Sequence, residues 1–157
     1  MAESEHKAPP RAVPSNDAGY LEKITQAAFQ SGISWKVIYS KWPGFQAAFL
    51  GFDIERVAAF DQRDVERLTE DTRIVRNGRK IQATIENART CQRLIAEHGS
   101  FYGWLRSLDG LDYKSRSQLL CQTFKFMGPS GAYFFFWSVG EDVPPYEEWQ
   151  AERSGRS

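Results

Sequence analysis

The sequence has few of the side chains that build metal sites or disulfide frameworks. Its 157 residues include two cysteines, Cys91 and Cys121, and two histidines, His6 and His98. The cysteines lie in separate, helix-like segments, and neither has a second Cys or a His close by in the sequence. A tetrahedral zinc site needs four such ligands, and a disulfide framework needs paired cysteines. We therefore predict no metal, no other cofactor, no disulfide and a reducing compartment.

Net charge and long apolar runs are also absent. Lys and Arg together number 20, as do Asp and Glu, so the formal net charge is zero. No apolar run approaches the roughly 18 residues of a membrane span. The N-terminus lacks the apolar segment of a secretion signal. We expect a cytoplasmic protein without a membrane partner, in which any nucleic-acid binding comes from a local basic patch.

Strand patterns are lacking, whereas helical spacing of apolar residues recurs along the chain. Many short helices joined by tight turns predict an all-α fold in one compact multi-helix domain, residues 17–150. Residues 1–16 are polar and contain three prolines, so we predict a flexible N-terminal arm. Residues 151–157 are predicted to be a flexible C-terminal tail.

Several helix boundaries follow from glycine and proline positions. Gly32 is predicted to interrupt the first helical region. A short helix is predicted over residues 43–51, where Pro43 would begin it and Gly51 would end it. The clearest helix begins at Gly78 and stops at Gly99. Residues 115–127, "SRSQLLCQTFKFM", predict a further helix.

A basic turn is the most informative local feature. The segment "DVERLTEDTRIVRNGRKIQATIENA" reads as helix, tight turn, helix. Arg73, Arg76, Arg79 and Lys80 crowd around this turn, and Gly78 opens the second helix. The unpaired amides at that helix start would add to the cations, which together predict a site for DNA phosphates. The alternative is a solvated basic turn without a ligand.

The stretch "QSGISWKVIYSKWPGF" places Trp35 just after a glycine-serine step. Trp35 is either an ordinary core residue or a flat platform on which an aromatic ligand stacks. A cationic base would be held there by stacking and cation–π attraction.

Two parts of the sequence together resemble the DNA-3-methyladenine glycosylase I family. The first runs from Phe29 to Ala88 and contains "GISW", "DVERL" and "IVRNGRKIQATIENA"; the second is "FKFMGPSGAYFF", residues 124–135. The resemblance implies an all-helical helix-hairpin-helix glycosylase fold with a base pocket between two helical lobes. It also implies a monofunctional enzyme that excises an alkylated purine from double-stranded DNA in base-excision repair.

The resemblance also implies roles for individual residues. Trp35 matches the family's pocket tryptophan, and Gln26 and Gln30 lie close enough in sequence to supply hydrogen bonds to the base. Arg73, Arg76, Gly78, Arg79 and Lys80 match the hairpin that grips the DNA backbone. For Lys80 we expect a phosphate contact rather than a covalent role in catalysis.

The sequence departs from the family pattern at three places. Ala27 stands where the family carries a base-recognising glutamate. Because alanine has no carboxylate, we assign no catalytic residue. The opening "YHDxEWG" motif has no equivalent here, and the zinc ligands of the family are missing. The alternative function is therefore a non-catalytic DNA-binding protein that retains the glycosylase scaffold. In either case we expect a monomer associated with the nucleoid.

Overall fold

The computed structural model describes residues 11–154, and within them it contains helices but no strand. This confirms the predicted all-α fold. The helix bounds are α1 Asp17–Gln30, α2 Trp35–Ala48, α3 Ile54–Ala58, α4 Gln62–Thr69, α5 Gly78–His98, α6 Phe101–Arg106, α7 Tyr113–Thr123, α8 Pro129–Ser138 and α9 Tyr146–Ser154. A 3-10 turn over Leu50–Phe52 follows α2. Because α9 continues through Ser154, the described part of the predicted tail is helical.

Short polar side chains cap most of the helices. Asn16 accepts a hydrogen bond from the Gly19 amide at the start of α1. Asp61 and Asp64 form a reciprocal capping box at the start of α4. Such caps satisfy the amides that a helix leaves unpaired in its first turn. At the other end of α5, Gly99 has φ 86°, the left-handed conformation that glycine adopts without strain, and α5 stops there as predicted.

Pro43 does not begin a helix, contrary to the prediction. A single helix, α2, passes through Pro43. Proline removes one amide donor from the helix interior and normally kinks or ends it. Here the buried residues Trp35, Ile38, Trp42 and Phe45 continue along one face on both sides of the proline. Packing of this face in the core therefore outweighs the local preference.

The predicted helix over residues 115–127 is wrong at both ends. Helix α7 begins at Tyr113, where Asp112 caps it, and stops at Thr123. Residues 124–128 form a loop instead, in which Phe126 has φ 55°. Phe124 and Met127 are buried while Phe126 is exposed, so burial in this loop does not follow helical spacing.

The described part of the predicted N-terminal arm is attached to the end of α8. The Arg11 guanidinium donates to the Trp137 carbonyl oxygen at 2.6 Å, and the Ala12 amide donates to the Ser138 carbonyl oxygen at 2.9 Å. Sequence polarity predicted a flexible arm. The sequence did not reveal its hydrogen bonds to α8 because they join residues more than 120 positions apart.

Helix α5 lies at the centre of the fold, where it contacts α1, α3, α4 and α6. Helix α8 packs on α1 and α7 and completes the core around the first helix. Within residues 11–154, no helix combines the length and apolar character needed to cross a bilayer.

Glu22 connects α1 to α2 through two hydrogen bonds. Its carboxylate accepts from Trp42 Nε1 at 2.6 Å and from Gln46 Nε2 at 2.9 Å. Trp42 is buried and stacks on Phe45. Its indole N–H therefore has a defined partner, which assigns Trp42 to the packing of the fold.

We expect Glu22→Leu to lower the free energy of unfolding by about 1–3 kcal/mol, because the Trp42 N–H loses its acceptor. The melting temperature should fall by about 2–10 °C in calorimetry. Glu22→Gln keeps an oxygen acceptor and should lose less than half as much. Equal melting temperatures for the Leu variant and the wild type would contradict this role.

Candidate functional site

Trp35 is the first residue of α2 and lies among aromatic side chains. Its ring stacks on Tyr39, with centroids 5.8 Å apart, and meets the edge of Phe134 at 6.0 Å. It is 6% exposed. We refer to Trp35, Tyr39 and Phe134 as the Trp35 cluster. Ser34 caps α2 through its hydroxyl group, so the glycine-serine step seen in the sequence fixes where this ring sits.

One buried polar group on each of α1 and α2 lacks a hydrogen-bond partner within residues 11–154: Gln26 Oε1 on α1 and the Tyr39 hydroxyl on α2. Burial raises the pKa of Tyr39 to about 12, so its hydroxyl remains a protonated donor at neutral pH. Most buried polar groups in proteins are paired. An unpaired acceptor on α1 and an unpaired donor beside the Trp35 ring are therefore suited to a ligand with complementary polar edges.

Ala27 and Trp35 both contact helix α8. A Cβ atom built on Gly131 would lie 3.5 Å from the Ala27 Cβ, and Gly131 is one turn from Phe134 on α8. Ala27 and Trp35 thus contact the same part of α8. The side chain at position 27 is therefore a methyl group, whereas the family pattern described above has a carboxylate at this position.

Lys23 lies one turn before Ala27 on α1 and was not identified from the sequence. Burial lowers its pKa, although the neighbouring Glu22 partly opposes this shift. Its position beside Glu22 matches no motif that would have identified it in the sequence. Gln30, predicted to bind the base, lies one turn beyond Gln26 and is half-buried.

The basic turn has the predicted helix-turn-helix geometry, formed by α4, residues 70–77 and α5; we call it the hairpin. Asn77 caps α5 and accepts from the Lys80 amide at 3.1 Å. The amides of Gly78 and Arg79 have no acceptor within the described chain, as expected in a first helical turn. Gly78 also lets α5 start close to α4, since its added Cβ would meet Thr69 Cγ2 at 3.4 Å.

The hairpin cations are not equivalent. Arg73 is paired with Asp71 through hydrogen bonds of 2.7–2.9 Å, and these bonds lower the Asp71 pKa. Arg76 and Arg79 are exposed, and neither forms an ion pair within residues 11–154. Of the predicted phosphate-binding cations, Arg76 and Arg79 are therefore the two whose guanidinium groups are available to a ligand.

Lys80 differs from the expectation that it projects toward phosphate. It is 5% exposed, and its ammonium donates to the carbonyl oxygens of Phe29 at 3.0 Å and Ser31 at 2.7 Å. These carbonyls end α1, where the helix dipole favours a cation. Burial lowers the Lys80 pKa. Two of its three donors are occupied, so Lys80 attaches the hairpin to α1 from inside.

Helix α2 is also attached to the hairpin. Lys41 Nζ donates to the Thr72 carbonyl oxygen at 3.3 Å. At Gly44 the two backbones nearly touch, because an added Cβ would lie 2.3 Å from the Arg73 carbonyl oxygen. The start of α2 carries Trp35. The hairpin therefore has a fixed position relative to the Trp35 cluster, through α2 on one side and Lys80 on the other.

The donor side chains of the described residues do not group into a metal site. Among residues 11–154, no three His, Cys, Asp or Glu side chains are placed to hold a metal ion. Cys91 is buried and Cys121 is partly buried, and neither forms a disulfide within the described residues. Burial raises the pKa of both thiols. His6 lies outside the described residues.

Replacing Lys80 or Arg79 with Met should show that Lys80 acts inside the fold and Arg79 at the surface, because the two substitutions should affect stability and DNA binding differently. We expect Lys80→Met to lower the free energy of unfolding by about 1–3 kcal/mol, because two carbonyls lose their donor. Arg79→Met should change it by less than about 0.5 kcal/mol but should reduce the salt dependence of DNA binding by about one charge. Denaturant unfolding and DNA titrations at several salt concentrations measure both. A reduced salt slope for Lys80→Met would contradict its assignment as internal.

Comparisons with known proteins agree on one family. A family model described as methyladenine glycosylase matches residues 11–119. DNA-3-methyladenine glycosylase 1 of Escherichia coli (strain K12) is 44% identical over 78 residues, which cover 49% of this chain and 42% of that protein. DNA-3-methyladenine glycosylase of Haemophilus influenzae is 25% identical over 139 residues, 76% of this chain and 75% of the relative. The E. coli match thus spans less than half of that protein.

A solved structure extends the similarity to most of the chain. The crystal structure of a 3-methyladenine DNA glycosylase I has a TM-score of 0.75 at 28% identity, over 88% of this chain and 86% of that one. The resemblance seen in the sequence motifs is confirmed. Because the family model matches more than half of its residues, the chain belongs to the methyladenine glycosylase family.

Proposed function

We propose that the protein is a monofunctional DNA glycosylase that removes 3-methyladenine-like purines from double-stranded DNA in base-excision repair. It would act as a monomer on nucleoid DNA in the cytoplasm. The observation that carries the proposal is the stacking of the Trp35 ring on the ring of Tyr39, whose buried hydroxyl is unpaired within residues 11–154. The names of the E. coli and H. influenzae relatives, both DNA-3-methyladenine glycosylases, support the same substrate class.

The reaction requires the damaged nucleotide to leave the duplex, since its glycosidic bond is inaccessible in the base stack. Purine alkylation at a ring nitrogen places positive charge on the base. The electron-rich Trp35 ring favours such a cation by stacking and cation–π attraction. In hydrolysis the bond from C1′ to the base breaks, its electron pair leaves with the base, and water adds to C1′ and releases a proton.

Polar side chains of α1 and α2 would orient the base. Gln26 Oε1 can accept a hydrogen bond from an exocyclic amine, and the Tyr39 hydroxyl can donate to a ring nitrogen or carbonyl. Gln30 on the next turn of α1 would complete this polar edge. None of these groups carries the negative charge of a carboxylate, so the positive charge of the substrate itself must weaken the bond.

The hairpin would hold the DNA backbone beside the lesion. Arg76 and Arg79 are exposed, and the Gly78 amide lies at the positive end of α5. Arg73 would contribute less because Asp71 already neutralises it. Such contacts fix the position of the protein on DNA without reading its sequence.

A non-catalytic DNA-binding protein is the second candidate function. The observation that favours it is Ala27, whose methyl group packs toward Gly131 in place of a carboxylate. This protein would keep the hairpin and its phosphate contacts but would not cleave the glycosidic bond. DNA binding without base release distinguishes it from the enzyme.

The direct test is base release from methylated duplex DNA with enzyme in excess over DNA. We expect the wild type to release 3-methyladenine, Trp35→Phe to retain a flat ring and most of the activity, and Trp35→Leu to lose about 10- to 100-fold. Both substitutions keep an apolar side chain, and only Phe keeps a flat ring. A loss of activity in Trp35→Leu that is absent in Trp35→Phe would therefore indicate stacking. No release of any alkylated base, together with salt-dependent DNA binding, would support the non-catalytic alternative.

Gln26→Leu tests whether the unpaired acceptor exists for the base. Leu has a similar volume and removes a buried polar group that lacks a partner in the free protein. We therefore expect a melting temperature equal to or above that of the wild type, and an activity lower by about 5- to 50-fold. Calorimetry and single-turnover kinetics provide the two values. A variant that is less stable and fully active would assign Gln26 to the fold.

A further inference from the structure

Phe126, in the loop between α7 and α8, has two costly features at once. It is a large apolar side chain that is 40% exposed, and its φ of 55° lies in the left-handed region. That conformation is uncommon for any residue with a Cβ and strained for a bulky one. With 40% of its surface exposed, the residue buries only part of its apolar area to offset the strain. Strained positions of this kind concentrate at functional sites.

The position of Phe126 is imposed by a buried side chain of the hairpin helix. Asn87 Oδ1 accepts from the Lys125 amide at 2.8 Å, and Asn87 Nδ2 donates to the Lys125 carbonyl oxygen at 3.2 Å. Asn87 belongs to α5, whose first turn is part of the hairpin. Phe124 and Met127 anchor the loop in the core on either side. The ring of Phe126 is thus presented to solvent at a fixed place relative to the hairpin.

Phe126 separates two surface grooves. The first, of about 740 Å³, is lined by Gly78 and Arg79 among other residues, and the second, of about 500 Å³, runs past Ser31. Phe126 and Lys125 line both grooves. Ser31 lies four residues before Trp35 in the chain. Phe126 therefore stands between the hairpin and the segment that leads to the Trp35 cluster.

The charges around the ring are mainly positive. The guanidinium of Arg79 lies 6.0 Å and the ammonium of Lys80 5.9 Å from its centroid. Lys125 is exposed, with Glu86 at 4.0 Å as its weak partner. The Arg79 and Lys80 cations both lie over the ring, and an exposed aromatic ring with cations this close matches the two parts of a nucleotide, a flat base and an anionic phosphate.

We propose that Phe126 is a stacking platform for a nucleobase of the bound DNA, one that loses its neighbour when the damaged base rotates out of the duplex. The phosphate of that nucleotide would lie near Arg79 and Lys125. The inference rests on the proposed function in one respect, because that function makes damaged duplex DNA the partner. It adds a second aromatic contact, outside the Trp35 cluster.

The test uses a duplex with a tetrahydrofuran abasic analogue and a fluorescent 2-aminopurine beside it. Phe126→Ala should weaken binding by about 5- to 100-fold without changing the salt slope, because no charge is removed. Phe126→Trp should bind as the wild type does and give the same 2-aminopurine signal. Phe126→Gly should also bind weakly but have a melting temperature no lower than the wild type, since glycine relieves the left-handed strain.

Tyr102→Ala is the matched control. Tyr102 is 47% exposed, with the Arg106 guanidinium 4.6 Å from its ring. It lies just beyond the C-terminal end of α5, about 30 Å along the helix from the hairpin. We expect this variant to bind the duplex as the wild type does.

Three results would overturn the inference. Wild-type affinity of Phe126→Ala for the duplex, with base release by the wild type intact, would sink the stacking role and leave the glycosylase proposal standing. A wild type that neither binds DNA nor releases bases would remove both. A change in oligomeric state of Phe126→Ala in sedimentation, at unchanged DNA affinity, would assign the ring to a contact between protein copies.

Discussion

The ammonium of Lys80 determines how the two halves of the candidate site are arranged. A buried cation is costly unless polar groups satisfy it, and here the carbonyls of Phe29 and Ser31 do so. These carbonyls close α1, and the following turn leads directly into Trp35. The start of the hairpin helix is thereby held against the end of α1, just before the aromatic cluster in the chain. In the proposed function, phosphate contacts and base contacts would then be made together, without rearranging the chain between them.

The chemistry of the cluster sets limits on what the proposed enzyme can accomplish. Position 27 carries Ala27, so this position supplies no fixed negative charge to stabilise the developing cation on the sugar or the charge of the base. In the proposed reaction the rate enhancement would come from stacking, exclusion of water and the lability of the substrate bond. Such an enzyme would select for lesions whose bond is already weak. The half-buried amine of Lys23 lies one turn from Ala27, and burial lowers its pKa.

Local chemistry made part of this structure predictable. The helix from Gly78 to Gly99 and the hairpin before it follow from spacing and glycine position, and sequence motifs singled out Trp35, whose role in binding a base stays a prediction. Long-range contacts decided the rest. Lys80 looked like its exposed neighbour Arg79, because the carbonyls that bind it are about fifty residues earlier in the chain. Phe126 looked helical because the Asn87 side chain that holds its loop open lies 38 positions from Lys125.

Gly44 shows that a strict requirement at one position need not reflect chemistry. Its missing side chain leaves room for the Arg73 carbonyl oxygen, which would otherwise lie 2.3 Å from a Cβ atom. Any other residue would force α2 and the hairpin apart and misalign base and phosphate together. Gly44 contributes no functional group to a substrate. Gly44 therefore acts as a spacer between α2 and the hairpin and is not part of the reactive surface.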